Sequence, residues 1–197
     1  MAGWAASLQA KPDLVILALG DSLTAGYGLT LEDSFPAQLE AALARSGVAA
    51  RVVNGGVSGD TSAGGLARVD WLLADRPDLV IVALGANDGL RGLEPATTRG
   101  NLDAIITRIR ATGADVVLAG MRAPPNLGAA YGEAFAALYA DLAAKHGIAY
   151  YPFFLEGVAA NPSLNQDDGI HPTAEGIAII VENMLPVVND ALTRGGR

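Results

Sequence analysis

Three short apolar runs constrain this chain most: residues 14–19, 79–84 and 116–119, each rich in branched side chains and each followed at once by glycine. Runs this short and this continuously apolar read as strands buried on both faces, which is the habit of a parallel sheet covered by helices. Two weaker candidates, 51–53 and 149–153, bring the strand count to about five. Helical periodicity fills the gaps, at 36–45, at 66–74 after the cap candidates Thr61 and Ser62, at 101–111, at 133–146, and at 174–192 after Thr173. Strand alternating with helix, without a long hairpin signal, predicts one α/β domain, a three-layer α/β/α sandwich around a parallel sheet. Pro186 is expected to end or kink the last helix, because proline removes a backbone donor. The glycine-rich segments 54–59 and 85–92 are placed directly after predicted strands. In an open parallel sheet the ligand crevice lies at the carboxyl ends of the strands, so those segments converge on one place.

The length of 197 residues, 51% of them hydrophobic, suits one well-buried core. The domain is expected over 13–192, with an N-terminal extension at 1–12 and a C-terminal tail at 193–197. A formal net charge of -8 and the lack of any basic run argue against nucleic acid as a partner. No cysteine is present, which excludes a disulfide scaffold, a thiolate zinc site and a cysteine nucleophile. No apolar stretch is read as approaching the roughly 20 residues that span a bilayer, so no transmembrane segment is expected. The first ten residues are alanine-rich without a basic start, and fit either a trimmed export signal or a plain terminus.

Two histidines are available as a general base. His146, between Lys145 and Gly147, reads as a helix-terminal residue favoured by the negative end of the helix dipole. His171 falls in Asp168-Gly169-Ile170-His171-Pro172, after the last strand candidate and before the last helix, and is the better base. Asp168, three residues earlier, is close enough to fix the imidazole tautomer and stabilise the imidazolium; Asp167 competes for that role, and both are open to a bland reading as solvated loop carboxylates or as a metal-ligand pair. Ser22, in Gly20-Asp21-Ser22-Leu23 directly after the first strand, is the nucleophile candidate, with helix capping as the structural alternative. Oxyanion donors are sought in Gly59, through its backbone N–H, and in Asn87, through its side-chain amide; an ordinary turn glycine and an Asx-turn are the alternatives.

Ser22, Gly59, Asn87 and His171, in that order and with Asp168 before the histidine, resemble the GDSL or SGNH hydrolase family. The resemblance extends from about Asp13 to about Leu192, and the strings GDSLTAGYGL, SGDTS, GANDGLRG and DDGIHP are similar to its bacterial branch of thioesterases, arylesterases and lysophospholipases. What it implies is a flavodoxin-like sheet, no cofactor, and an acyl-enzyme on Ser22. His171 would be the base, Asp168 its partner, and the backbone N–H of Ser22 would join Gly59 and Asn87 around the oxyanion. A small acyl ester or thioester would be the substrate, and a periplasmic or secreted location is implied. The segment 121–126 (MRAPPN) keeps a proline-asparagine feature found near the pocket in this family.

Three other readings remain at this point. A flavin or nucleotide module shares the architecture, but neither a dinucleotide fingerprint nor a P-loop is present. An acyltransferase would use the same serine with an alcohol or sugar acceptor. A non-catalytic interaction domain would need one of the four elements to be missing. In the segment from Gly89 to Pro95, Leu90 and Leu93 are read as substrate-binding residues on a flap over the acyl chain, or else as core.

Overall fold

The computed structural model describes residues 14–194. The expected extension at 1–12, with its signal-remnant reading, lies outside the described residues. Five parallel strands form the sheet: β1 (Leu14–Gly20), β2 (Ala50–Gly56), β3 (Leu79–Ala83), β4 (Asp115–Ala119) and β5 (Ala149–Tyr151), in the order β2-β1-β3-β4-β5. The order is the flavodoxin-like one, in which successive strands grow outward in both directions from β1. Every residue of β3 is buried, as its unbroken apolar run requires, whereas β2 at the edge buries only Val52 and Gly55.

The helices are α1 (Ser22–Ala25), α2 (Phe35–Arg45), α3 (Ser62–Leu72), α4 (Ala86–Leu90), α5 (Pro95–Ala111), α6 (Ala129–His146) and α7 (Ala174–Arg194). Each long helix turns one stripe inward: Leu102, Ile105, Ile106 and Ile109 in α5 follow the spacing that keeps side chains on a single face. Helix α2 packs beside α7, while α3 packs on α5 and α5 on α6, giving the two outer layers.

Several expectations need correction. Helix α7 runs through Pro186 and on to Arg194, past the expected end of the domain at 192. Proline leaves the carbonyl of residue 182 without its helical donor, but Glu182 and Pro186 are exposed, so water can take that place. The opposite face, with Ile177, Ile180, Val181, Met184 and Val188, is buried and holds the helix together. At 21 residues α7 is also long and apolar enough to cross a membrane by length and composition, which the sequence reading missed; its buried stripe makes it a core helix here. Strand β2 extends through Gly56 rather than stopping at Val53, because Gly55 and Gly56 continue the ladder with Leu19 and Gly20. A Cβ at Gly56 would lie 2.3 Å from the Ala25 backbone nitrogen, so a bare glycine is what lets α1 approach the sheet. The glycine-rich segment 85–92 after β3, with no helix expected in it, holds the short helix α4, and a second short helix, α1, follows β1.

Candidate active site

Strand order reverses beside β1, and the segments following β1, β2 and β3 meet there. Ser22 opens α1, with Asp21 alone between it and the last residue of β1. The cap is Asp21, not Ser22: its Oδ1 accepts from the Leu23 N–H at 3.0 Å, which leaves the serine hydroxyl uncommitted to helix capping. His171 arrives from the other end of the chain on a tight loop. Gln166 donates its N–H to the His171 carbonyl at 2.7 Å, and Gly169 donates to the Gln166 carbonyl at 2.8 Å. The Gln166 side chain then spans to the Tyr27 carbonyl at 2.8 Å, tying this loop to the segment after α1.

The three side chains are in line. His171 Nε2 lies 2.9 Å from Ser22 Oγ, and His171 Nδ1 lies 2.6 Å from Asp168 Oδ2. Asp168 Oδ1 accepts the N–H groups of Ile170 and His171, both at 2.9 Å. Those backbone and imidazole donors, the His171 N–H foremost, hold the Asp168 carboxyl down at about 2, so it stays ionised and Nδ1 carries the proton it accepts. Nε2 is thereby left as an acceptor facing the serine hydroxyl. Asp167 is exposed and makes no hydrogen bond to the imidazole. The Tyr27 ring packs against His171, with centroids 4.5 Å apart.

Gly59 follows β2 with φ of +83°, a left-handed conformation that side chains disfavour. Among the described residues no hydrogen bond engages the backbone N–H of Gly59 or of Ser22. Asn87, in α4, donates Nδ2 to the Asp60 carbonyl at 2.9 Å and approaches Asp21 Oδ2 at 3.3 Å. Beneath it Asp88 is buried, accepting from the Ser62 N–H at 2.8 Å, the Ser62 hydroxyl at 2.5 Å and the Thr98 hydroxyl at 3.1 Å, which fastens α3, α4 and α5 together.

Ser22, Gly59, Asn87 and His171 border a cleft of about 620 Å³. Much of its lining is apolar, including Met121, Ala123, Pro124, Phe153, Leu155 and Ile170. Leu90 lines the cleft and is half exposed; Leu93 does not line it, contrary to its expected substrate contact, and its carbonyl instead accepts from the Tyr131 hydroxyl at 2.6 Å. Among the described residues no three His, Asp or Glu side chains converge to hold a metal ion. His146 ends α6 and pairs through Nε2 with Asp103 at 2.6 Å, away from the cleft.

Sequence reasoning overlooked Asp21, Gln166 and Arg68 as parts of this site. Asp21 carried a signal, a capping residue type directly before a helix; Gln166 and Arg68 carried none.

Comparison with known proteins gives the family. The profile of the GDSL-like Lipase/Acylhydrolase family matches residues 18–179. The chain is 46% identical to Esterase TesA of Pseudomonas aeruginosa, over 90% of this chain and 89% of that one. It is 41% identical to Thioesterase 1/protease 1/lysophospholipase L1 of Escherichia coli K12, over 88% and 85%. The crystal structure of AlinE4, described as an SGNH-hydrolase family esterase, superposes with a TM-score of 0.77 at 49% identity, covering 91% of this chain and 96% of that one. This chain belongs to the GDSL-like lipase/acylhydrolase family.

Proposed function

We propose that this protein is a serine hydrolase of carboxylic esters, acting through an acyl-enzyme on Ser22. The observation that carries the proposal is the run from Ser22 Oγ to His171 Nε2 at 2.9 Å and from His171 Nδ1 to Asp168 at 2.6 Å, at the mouth of an apolar cleft. In this reading Ser22 Oγ attacks the carbonyl carbon and gives its proton to His171 Nε2. The carbonyl oxygen becomes an oxyanion that the N–H groups of Ser22 and Gly59 and the Asn87 amide stabilise. Collapse of the tetrahedral intermediate expels the alcohol or thiol, which takes the proton from Nε2. Water then gives a proton to the same nitrogen, attacks the acyl-serine and releases the acid, and the proton returns to Oγ.

The apolar wall suits an acyl chain, and the related enzymes are named esterase and thioesterase/lysophospholipase, which supports carboxylic esters first and acyl thioesters or lysophospholipids as further substrates. Those names do not favour the acyltransferase reading. The periplasmic or secreted location belongs to the same proposal and is tested by fractionating cells that express the natural chain.

The test is hydrolysis of p-nitrophenyl esters by the wild type and by Ser22→Ala. The variant is expected to fold normally and to lose activity by at least about 10³-fold. Retention of more than a few per cent of the rate in a clean preparation would show that another group attacks.

A further inference from the structure

Arg68 lies on α3, outside the motif strings that carry the family resemblance, yet its guanidinium touches the ends of β1 and β2 and the segment after β2, and through Asp60 it reaches Asn87 after β3. Nη2 donates to the Gly20 carbonyl at 2.8 Å, immediately before Asp21 and Ser22. Nη1 donates to the Gly55 carbonyl at 2.7 Å, near the end of β2. Nε donates to Asp60 Oδ2 at 2.6 Å, and Asp60 is the residue whose carbonyl receives the Asn87 amide and which directly follows Gly59. The Arg68 and Asp60 side chains are only 20% and 18% exposed, so the contact is sheltered from competing water. Gly64, one turn before Arg68, leaves room for this: a Cβ there would lie 2.2 Å from Asp60 Oδ1.

We propose that Arg68 is a positioning residue, one rigid planar group that sets the spacing between the nucleophile turn and the two oxyanion donors. This rests on the hydrolase reading of the site. Arg68 touches no substrate, so it acts through Gly20, Asp60 and, beyond Asp60, Asn87. A planar fork with its donors in fixed directions is required to reach three acceptors at once; an ammonium is a point donor on a flexible stem. Misplacing reacting groups by about 1 Å costs on the order of 10²-fold in rate, and the loss falls on kcat because the oxyanion develops on the way to the tetrahedral intermediate and is absent from the bound ester.

The experiment compares wild type, Arg68→Lys, Arg68→Ala and Asp60→Asn on one p-nitrophenyl ester, with circular dichroism and thermal melting to establish the folded fraction. Expected for Arg68→Ala is a kcat lower by roughly 10²-fold with KM within about threefold, partly restored by added methylguanidinium and not by methylammonium. Arg68→Lys keeps the charge and is expected to stay impaired, at roughly 10-fold or more, and Asp60→Asn to show a smaller loss of the same kind. The inference is overturned if folded Arg68→Lys keeps kcat within threefold, if the loss lies in KM, or if activity merely tracks the folded fraction. Should Arg68→Ala fail to fold, the Lys and Asn variants decide on the same criteria. A wild type that hydrolyses no ester would defeat the hydrolase reading itself, a different outcome from an active wild type matched by its Arg68 variants.

Discussion

The Asn87 amide has two hydrogens, and their partners differ: the Asp60 carbonyl is met at 2.9 Å and Asp21 Oδ2 only at 3.3 Å. The first contact fixes the side chain, and the second is long enough to yield to an oxyanion. Asn87→Ala is therefore expected to lower kcat by roughly 10²–10³-fold, about 2.7–4 kcal/mol, with a far smaller change in KM. Steady-state kinetics on one ester checks this, and a change confined to KM would make Asn87 a ground-state binding residue. Asp168→Asn tests the other arm. Its remaining oxygen can still accept the Ile170 and His171 N–H groups, so the loop is expected to persist while the imidazolium loses its counter-charge. A kcat loss of roughly 10²–10⁴-fold is expected, and an unchanged rate would remove Asp168 from the mechanism. Ser22, Gly59 and Asn87 were legible as candidates because each follows closely on a strand, and Asp168 and His171 because a carboxylate three residues before a histidine in one loop is a distinctive pair. Arg68 was not, because an arginine within an amphipathic helix looks like any solvated one until its acceptors, all backbone carbonyls or a distant carboxylate, are brought to it by folding.

At the scale of elements, the strand cores were readable and their ends less so. An unbroken apolar run such as 79–84 has few other uses, whereas β2 and β5 lie at the sheet's edges, where burial on one side only weakens the pattern. Helix α4 was read as loop because Asn, Asp and Gly favour turns in isolation; the buried network on Asp88 overrides that preference. The flap expectation narrows to Leu90. The segment after it is anchored, with Arg91 donating to the Gly59 carbonyl at 2.9 Å and Tyr131 to the Leu93 carbonyl at 2.6 Å. Each methylene buried against an apolar wall is worth about 0.8 kcal/mol, or roughly fourfold in kcat/KM. Leu90→Ala is expected to flatten the rise in kcat/KM from short to medium acyl esters, and Leu93→Ala to leave that slope alone. Equal losses by both variants at every chain length would return the two leucines to a structural role.

For the whole molecule, the site imposes an electrostatic cost on the fold. Asp21 is fully buried, and burial pushes its carboxyl from 3.8 up to about 6 against the opposing pull of the Leu23 N–H, the nearby His171 and the Asn87 amide. A carboxyl raised in the folded state holds a proton that the unfolded chain has released, so its contribution to stability falls as pH rises from about 4 to about 6 and the penalty is complete above that. Two units correspond to roughly 3 kcal/mol as an upper figure. Asp21→Asn removes the titration, so the stability of the variant relative to wild type is expected to improve by roughly 1–3 kcal/mol between pH 4 and pH 7, measured by urea denaturation at both. A flat difference would mean that Asp21 ionises normally, and a reversed one that the fold holds its carboxyl down rather than up. The capping bond to Leu23 and the contact with Asn87 explain why a carboxylate is kept in so unfavourable a place: it builds the turn that presents Ser22.

The claim on which everything else depends is that Ser22, activated by His171, attacks the substrate. Intact-mass and peptide-mass analysis after exposure to an alkyl fluorophosphonate tests it most directly. One phosphonyl adduct is expected, on the peptide containing Ser22, formed at the rate at which esterase activity is lost, and slowed at least 10²-fold in His171→Ala. An adduct on any other residue, or full loss of activity with Ser22 unmodified, would contradict it.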